Sequence, residues 1–237
     1  MATLVNASES SSRYLPGSTE VDPEGSLATI PLFGVLSADE FEELLAASAS
    51  HRVARQQVIF CEGETLTHFY LAQTGSIKLV RHSEAGKELI VGLARPGECF
   101  GALADPLESR TLAQALEESI ILVCPLSAVR HTLAQNPRFA TGLLVQALKR
   151  HEGAETAATR LAFETVPQRL AHLLLEVSDP QSGQLATPLN QTEIANLIGS
   201  SRETVCSILN QFRRQGLLDI KRGRLRIVER GLLTGAQ

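Results

Sequence analysis

The chain has 237 residues, with 22 basic and 26 acidic side chains and a formal net charge of −4. This length can bury one large core or two ordinary ones, and no window approaches the roughly 18 uninterrupted apolar residues of a membrane-spanning helix. The four cysteines lie far apart without a C-x-x-C pair, which argues against a disulfide framework, a zinc site or an iron–sulfur run and favours the reducing cytoplasm.

Residues 1–28 are rich in serine and contain no apolar block. A secretory signal peptide needs a basic start and an apolar run of about 7–15 residues, and this segment has neither. We therefore expect 1–28 to be a disordered extension. A short helix should follow it, because Ser37 and Glu40 have the spacing of a capping box beside an apolar stripe.

Short β-branched and aromatic runs dominate residues 29–135, which we assign to a sensor domain. Gly63, Gly75, Gly86 and Gly97 fall between these runs. Strands separated by turn glycines at this cadence are typical of a small antiparallel barrel or roll. No stretch of helical length lies between the runs, so a parallel βαβ sheet is disfavoured.

A long helix is predicted at 136–163, because Asn136 can cap a helix whose first residue is Pro137. Apolar and small residues then recur at alternating steps of four and three, the spacing that keeps one face against a partner helix. We prefer a seam between two copies of the chain, and the alternative is packing on the helix's own domain. The predicted dimer seam consists of Leu144, Ala147, His151, Ala154, Ala158 and Leu161.

Residues 164–237 have the pattern of helices followed by a β-hairpin with a basic tip. Asn190 and Glu193 have the spacing of a second capping box, and Gly199 can supply a tight turn between two short helices. Val205 is then the expected buried anchor of the second helix. These features predict a helix-turn-helix, whose second helix enters the major groove of DNA.

The first turn of that second helix carries Arg202 and Glu203. An arginine can pair with guanine O6 and N7, and a glutamate can accept from cytosine N4, so the two could read adjacent G·C pairs. Residues 202–230 hold eight basic and three acidic side chains, and basic groups can hold phosphates. The predicted DNA contacts are Thr192, Ser200, Ser201, Arg202, Glu203, Thr204, Ser207, Arg213, Arg222 and Arg224.

The segment Gly199–Val205 resembles the recognition helix of the catabolite activator protein and fumarate–nitrate regulator (CRP/FNR) family. Residues 58–64, 74–79 and 96–101 resemble, in the same order, a strand and glycine turns of that family's β-roll. The resemblance implies an α+β fold with an N-terminal antiparallel β-roll of the cyclic-nucleotide-binding type, a long dimerisation helix and a C-terminal winged helix-turn-helix. It also implies a homodimeric transcription regulator that reads a two-fold symmetric site in double-stranded DNA and works with RNA polymerase.

The resemblance further suggests an effector pocket formed by Phe100, Gly101, Ala102, Leu103, Arg110, Thr111, Arg150 and Glu155. Members of the family that bind cyclic AMP hold the ribose with a glutamate at the position of Ala102, and a buried hydroxyl left unpaired costs about 1–3 kcal/mol. This argues against cyclic AMP. The nitrogen-control branch binds 2-oxoglutarate, and Arg110 with Arg150 could hold such a dicarboxylate. A chain with no small-molecule effector, or with an unknown one, is the third alternative.

Two other functional classes compete with the regulator. An enzyme is not expected, because the sequence contains no nucleophile elbow, phosphate loop or metal-spaced histidine pair. A sensing or protein-interaction module that does not read DNA sequence is the remaining alternative. Cys61, Cys99 and Cys124 lie on or beside predicted strands and are expected to be buried. No metal site or membrane contact is predicted.

Overall fold

The computed structural model describes residues 19–21, 27, 30–103, 107–221 and 224–234. The chain forms two compact units, each with its own hydrophobic core. The first unit comprises Met1–Arg81 with Gly92–His151, and the second comprises His82–Val91 with Glu152–Gln237. Within the described ranges, no helix combines the length and the apolar character that crossing a membrane requires.

Helix α1 (Ala38–Ala46) begins where the sequence predicts it. Ser37 Oγ accepts from the N–H of Glu40, and the Glu40 carboxylate accepts from the N–H of Ser37 at 2.8 Å, so the capping box is complete. Asn136 Nδ2 also donates to this carboxylate at 2.9 Å. The backbone N–H of Ser37 and the amide of Asn136 together hold the pKa of Glu40 below its usual value.

Antiparallel strands form the roll that the sequence predicts. In chain order they are β1 Thr19–Val21, β2 Ala49–Val53, β3 Val58–Phe60, β4 Thr65–Leu66, β5 His68–Thr74, β6 Ile77–His82, β7 Glu88–Ala94, β8 Cys99–Gly101, β9 Leu107–Glu108, β10 Leu112–Ala115 and β11 Ser119–Pro125. One sheet has the order β1-β2-β11-β5-β8, a second has the order β3-β10-β6-β7, and β4 pairs with β9.

Large aromatic side chains fill the interior of the roll. Phe60, Tyr70 and Phe100 come from three different strands, and each is 2% exposed. Their ring centroids lie 5.3 to 6.1 Å apart, which is within the range of favourable aromatic pairs. This buried cluster fixes the position of β8, which leads into the predicted effector segment.

Strand β1 lies within residues 1–28, and the expected disorder of that segment is wrong for Thr19–Val21. Thr19–Val21 pairs antiparallel with β2, with Glu20 opposite His51, and Leu27 is buried with 4% exposure. The pairing satisfies the outer edge of β2, whose backbone groups would otherwise be open to another strand. The other residues of 1–28 lie outside the described part of the chain.

Two helices follow the roll, namely α2 (Leu126–Gln135) and α3 (Pro137–Phe163). The Asn136 side chain accepts from the first N–H groups of α3 at 3.0 Å, so the long helix starts with the predicted cap. Early in α3, Phe139 and Leu143 are buried. From Leu144 to Phe163, every side chain except Gln146 and Arg160 is exposed.

The second unit contains the C-terminal helices and a hairpin. Its helices are α4 (Val166–Val177), α5 (Gln191–Ile198), α6 (Arg202–Arg214) and α7 (Arg230–Thr234), and its strands are β12 (Leu218–Lys221) and β13 (Arg224–Ile227). The strands pair antiparallel with Leu218 opposite Ile227, which confirms the predicted hairpin. The tip of the hairpin, with Arg222, lies outside the described residues.

Candidate nucleic-acid interface

Helices α5 and α6 form the helix-turn-helix that the sequence predicts. Asn190 Oδ1 accepts from the N–H of Glu193 at 2.9 Å, and the Glu193 carboxylate accepts from the N–H of Asn190 at 2.7 Å. Gly199 ends α5 in the left-handed region with φ +63°. A Cβ at this position would lie 2.8 Å from a methyl carbon of Leu161. The backbone angle therefore requires glycine, and a Cβ would also displace the partly exposed Leu161 side chain.

Helix α6 is amphipathic. One face packs into the core of the second unit through Val205, Ile208, Leu209 and Phe212, all of which are buried. Val205 is 0% exposed, as expected for the anchor of the second helix. Because these apolar side chains fix the rotation of α6 about its axis, the other face of the helix is held towards solvent.

The exposed face begins at a capped first turn. Ser201 Oγ accepts from the N–H of Thr204 at 3.2 Å and lies 2.9 Å from Thr204 Oγ1. Arg202 and Glu203 follow the cap and are exposed. In the described part of the chain, neither side chain is hydrogen bonded to another protein group. Both can therefore reach a partner without breaking a bond within the protein.

The other predicted DNA contacts lie on the same structural motif or near it. Thr192 in the first turn of α5, Ser207 on α6 and Arg213 in the last turn of α6 are exposed, whereas Ser200 is half-buried. Arg224 is the first residue of β13.

Among the basic side chains at 202–230 that the structure describes, three are engaged within the protein. Arg226 Nε donates to the Ser182 carbonyl at 3.0 Å, and Arg230 donates to a hydroxyl and carbonyls at the end of α4. Lys221 Nζ lies 2.8 Å from Asp219, and this bond holds the pKa of the Asp219 carboxyl below its usual value. The local charge therefore overstates how many cations can bind phosphates.

The predicted effector segment is tightly packed around β8. Phe100 stacks on Tyr70, with a centroid distance of 5.3 Å, and Ala102 is 0% exposed. Gly101 has φ +85°, and a Cβ there would lie 2.5 Å from a ring carbon of Tyr70. Thr111 is half-buried directly before β10. The backbone around Gly101 is thus fixed by its neighbours, and only glycine fits there.

The two arginines predicted to hold an anion lie on different elements. Arg110 is exposed ahead of β10, whereas Arg150 Nη1 on α3 donates to the Cys99 carbonyl at 3.3 Å. Leu103 and Glu155 are exposed.

Sequence reasoning missed two half-buried polar side chains that join separate elements. Gln146 Oε1 accepts from the N–H and from the thiol of Cys99, both at 3.0 Å. Arg169 Nε donates to the Ile198 carbonyl at 3.0 Å. Arg169 is a single charge within the otherwise apolar face of α4, and this pattern could have indicated its role. A charge on a buried face requires partners.

The cysteines differ in exposure. Cys99 and Cys124 are buried, as expected, whereas Cys61 is exposed and Cys206 is half-buried. The predicted burial of Cys61 is therefore wrong. Burial raises the pKa of the Cys99 thiol to about 11 and that of Cys124 to about 12. In the described ranges, no group of three histidine, cysteine or carboxylate side chains is placed to hold a metal ion.

The difference in exposure among the cysteines predicts selective alkylation. The thiolate is the reactive form of cysteine, so a buried thiol with a raised pKa reacts slowly at neutral pH. We expect iodoacetamide to modify Cys61 first in the folded protein and to leave Cys99 and Cys124 unmodified, as read by peptide mass spectrometry. All four cysteines should react in guanidinium chloride, which serves as the control. Rapid native modification of Cys124 would contradict its placement in β11.

Family models match both parts of the chain. Residues 50–136 match the cyclic nucleotide-binding domain, and residues 168–235 match the Crp-like helix-turn-helix domain. The Cyclic AMP receptor protein of Thermus thermophilus is 28% identical over 205 residues, which cover 86% of this chain and 94% of the relative. The CRP-like protein Clp of Xanthomonas campestris is 28% identical over 200 residues, which cover 77% of this chain and 85% of the relative.

Solved structures share the fold. FixK2 from Bradyrhizobium japonicum has a TM-score of 0.73 at 22% identity and covers 80% of this chain and 96% of its own. The c-di-GMP responsive global regulator CLP of Xanthomonas campestris has a TM-score of 0.71 at 23% identity and covers 81% of this chain and 100% of its own. The relative from Mycobacterium tuberculosis, 29% identical over 175 residues, is named a CRP-like cAMP-activated global transcriptional regulator, and neither of the two relatives above is named as an enzyme. With both domain types present in the family's order, the chain belongs to the CRP/FNR family of transcription regulators.

Proposed function

We propose that the chain acts as a homodimer that reads a two-fold symmetric DNA site through Arg202 and Glu203 of each copy. The first turn of α6 carries this proposal. Its cap at Ser201 and its buried opposite face hold Arg202 and Glu203 exposed at the helix end that a helix-turn-helix places against base edges. Ser207 lies one turn later on the exposed face and can bond to either strand.

The exposed length of α3 supports the homodimer. Leu144 is 58% exposed, Val145 44% and Leu148 51%, and contiguous exposed apolar groups mark interaction surfaces. Of the predicted seam, Leu144, Ala147, His151, Ala154 and Ala158 all present exposed side chains. Leu161 also borders Gly199. We therefore centre the seam on the turn from Leu144 to Leu148.

RNA polymerase is the second protein partner, because a DNA-bound regulator acts on transcription through it. For the effector, we propose a small anion such as 2-oxoglutarate in place of cyclic AMP, since buried Ala102 offers a methyl group where a ribose hydroxyl needs an acceptor. The relative from Mycobacterium tuberculosis is named a cAMP-activated regulator, so cyclic AMP is the reference ligand in the test. Transcription with purified polymerase from a promoter carrying the selected site tests the partner.

Selection from random DNA duplexes by the purified protein, with and without 2-oxoglutarate or cyclic AMP, tests the reading of sequence. On the selected site, Arg202→Ala is expected to cost about 1–3 kcal/mol, or about 5- to 150-fold in Kd, and to relax one base position in each half-site. Fluorescence anisotropy on the cognate and on randomised duplexes measures both effects. The losses on random DNA should be much smaller, because a base contact contributes little there.

Arg213→Ala is the matched control. It removes the same charge from the other end of α6, so it should weaken binding to all sequences similarly and lower the salt dependence of binding by about one unit of slope. Equal losses for Arg202→Ala on cognate and random duplexes would exclude base reading by Arg202. Binding that ignores both sequence and salt would instead favour a protein-interaction module.

A further inference from the structure

Helices α3 and α4 are joined by the two-residue elbow Glu164–Thr165, since α3 ends at Phe163 and α4 begins at Val166. The Glu164 N–H donates to the Arg160 carbonyl at 2.9 Å. The Thr165 N–H donates to the Gln168 side chain at 2.7 Å. Both N–H groups of the elbow are thus bonded to a flanking helix, which limits the bending available to it.

One ion pair and one histidine–carboxylate contact lie at the elbow. Arg160 Nη1 lies 3.1 Å from a Glu176 carboxylate oxygen, and His172 Nδ1 lies 2.9 Å from a Glu164 carboxylate oxygen. The Glu176 side chain is 55% exposed, and exposed ion pairs contribute little to a fixed geometry. The His172–Glu164 contact is less exposed, at 29% and 24%, but it joins the elbow to α4 only and does not reach the helix-turn-helix.

Arg169 connects the elbow to the helix-turn-helix, which neither of these two pairs does. Its Nη1 donates to the Glu164 carbonyl at 2.9 Å, and its Nε donates to the Ile198 carbonyl at 3.0 Å. Ile198 is the last residue of α5 and directly precedes the Gly199 turn. One planar guanidinium thus holds the elbow and the helix-turn-helix at the same time. Charge-assisted bonds from a rigid fork are both strong and directional.

Apolar packing supports the same connection. The Leu161 side chain, in the last turns of α3, approaches the Gly199 turn so closely that a Cβ on Gly199 would be 2.8 Å from its methyl carbon. The end of α3, the elbow and the turn before α6 therefore contact one another within the second unit. A change in the elbow angle would have to break either the Arg169 bonds or this packing.

We propose that Arg169 is a positioning residue that sets the direction of α6 relative to the end of α3, and thereby the half-site spacing that the dimer accepts. This rests on the proposed function. Two recognition helices must enter grooves about 34 Å apart, so a small rotation at each elbow displaces them by a large part of a base-pair step. Base reading itself depends on the cap and buried face of α6, which Arg169 does not contact.

Spacing selectivity of the full-length dimer tests this role. We expect the wild-type protein to lose at least about tenfold in affinity when one base pair is inserted or deleted between the half-sites. This loss is part of the gain in affinity, about 10²–10⁴-fold, that comes from binding both half-sites at once. Arg169→Met keeps the apolar stem and removes the fork. It should bind the best spacing about tenfold more weakly, yet lose less than about threefold more on the shifted duplexes.

Arg160→Gln is the matched control, because it removes a charge at the same elbow without touching Ile198, and it should keep the wild-type spacing profile. Discrimination against a base change within one half-site should stay as in the wild type for all variants. Thermal melting accompanies each measurement. Should Arg169→Met fail to fold, Arg169→Lys takes its place, since it keeps the charge and loses the planar fork.

The outcomes separate this inference from the function on which it rests. A flattened spacing profile in the Arg169 variant supports the positioning role. An unchanged profile, or an equal loss at every spacing, overturns it while the proposed DNA reading stands. A wild-type protein with no preferred sequence would overturn the proposed function, and with it any role of Arg169 in spacing.

Discussion

Changing Leu144 and Leu148 together to glutamate is expected to leave the protein monomeric and to weaken its binding to a two-fold site by about 10²–10⁴-fold. Both leucines are more than half exposed in the single chain, at 58% and 51%. Their replacement removes no contact from the core of the roll, so the fold should persist. In a dimer, the four carboxylates would face one another across the seam, which is unfavourable through both repulsion and desolvation.

Light scattering after gel filtration gives the oligomeric state, and anisotropy on the selected duplex gives the affinity. Lys149→Glu is the control, because it changes the net charge by the same amount on an exposed residue about 100° further around the helix. It should remain dimeric. If the double variant stays dimeric and binds DNA as the wild type does, the seam does not lie on this face of α3.

Gly199→Ala is expected to lower the free energy of unfolding by about 2 kcal/mol or more. A residue with a Cβ pays about 1–2 kcal/mol in the left-handed region, and here the new methyl group would also meet Leu161 at 2.8 Å. Because Gly199 joins α5 to α6, affinity for DNA should fall as well. Urea unfolding followed by circular dichroism measures the loss of stability.

Substitutions at two other glycines separate the cost of the backbone angle from the cost of packing against Leu161. Gly216 has φ +77° with nothing within 4 Å of a Cβ, so Gly216→Ala should show the backbone cost alone. Gly153 lies within α3 in open space, and Gly153→Ala should stabilise the helix by about 0.5–1 kcal/mol. Leu161→Ala in the Gly199→Ala background should restore part of the loss. If Gly199→Ala costs no more than Gly216→Ala, the packing of Leu161 on the turn is refuted.

Local signals in the sequence predicted the features that local chemistry determines. The capping boxes at Ser37 and Asn190 and the left-handed turn at Gly199 each depend on residues a few positions apart. The alternation of short strands and glycine turns likewise predicted the roll. For the helix-turn-helix, the caps, the turn and the buried anchor were therefore all visible before the structure was known.

Features that depend on distant partners were not predictable in this way. Strand β1 forms because Thr19–Val21 pairs with the edge of β2. The composition of this segment alone gives little indication of a strand. Arg226 and Arg230 add to the local positive charge, yet the structure uses both to bind carbonyls elsewhere in the second unit. Neither a charge count nor a periodicity reveals which cation has a partner far away in sequence.

The bonds between β8 and α3 have a mechanical consequence. Gln146 Oε1 accepts hydrogen bonds from the N–H and the thiol of Cys99, and Gln146 Nε2 donates to the Gly97 carbonyl. Arg150 Nη1 donates to the Cys99 carbonyl. A displacement of β8 must therefore either break these hydrogen bonds or move the middle of α3 with it. Phe100 on β8 and the exposed Leu144 and Leu148 of α3 are therefore linked through four hydrogen bonds, and a displaced β8 would strain the helix turn that carries these leucines.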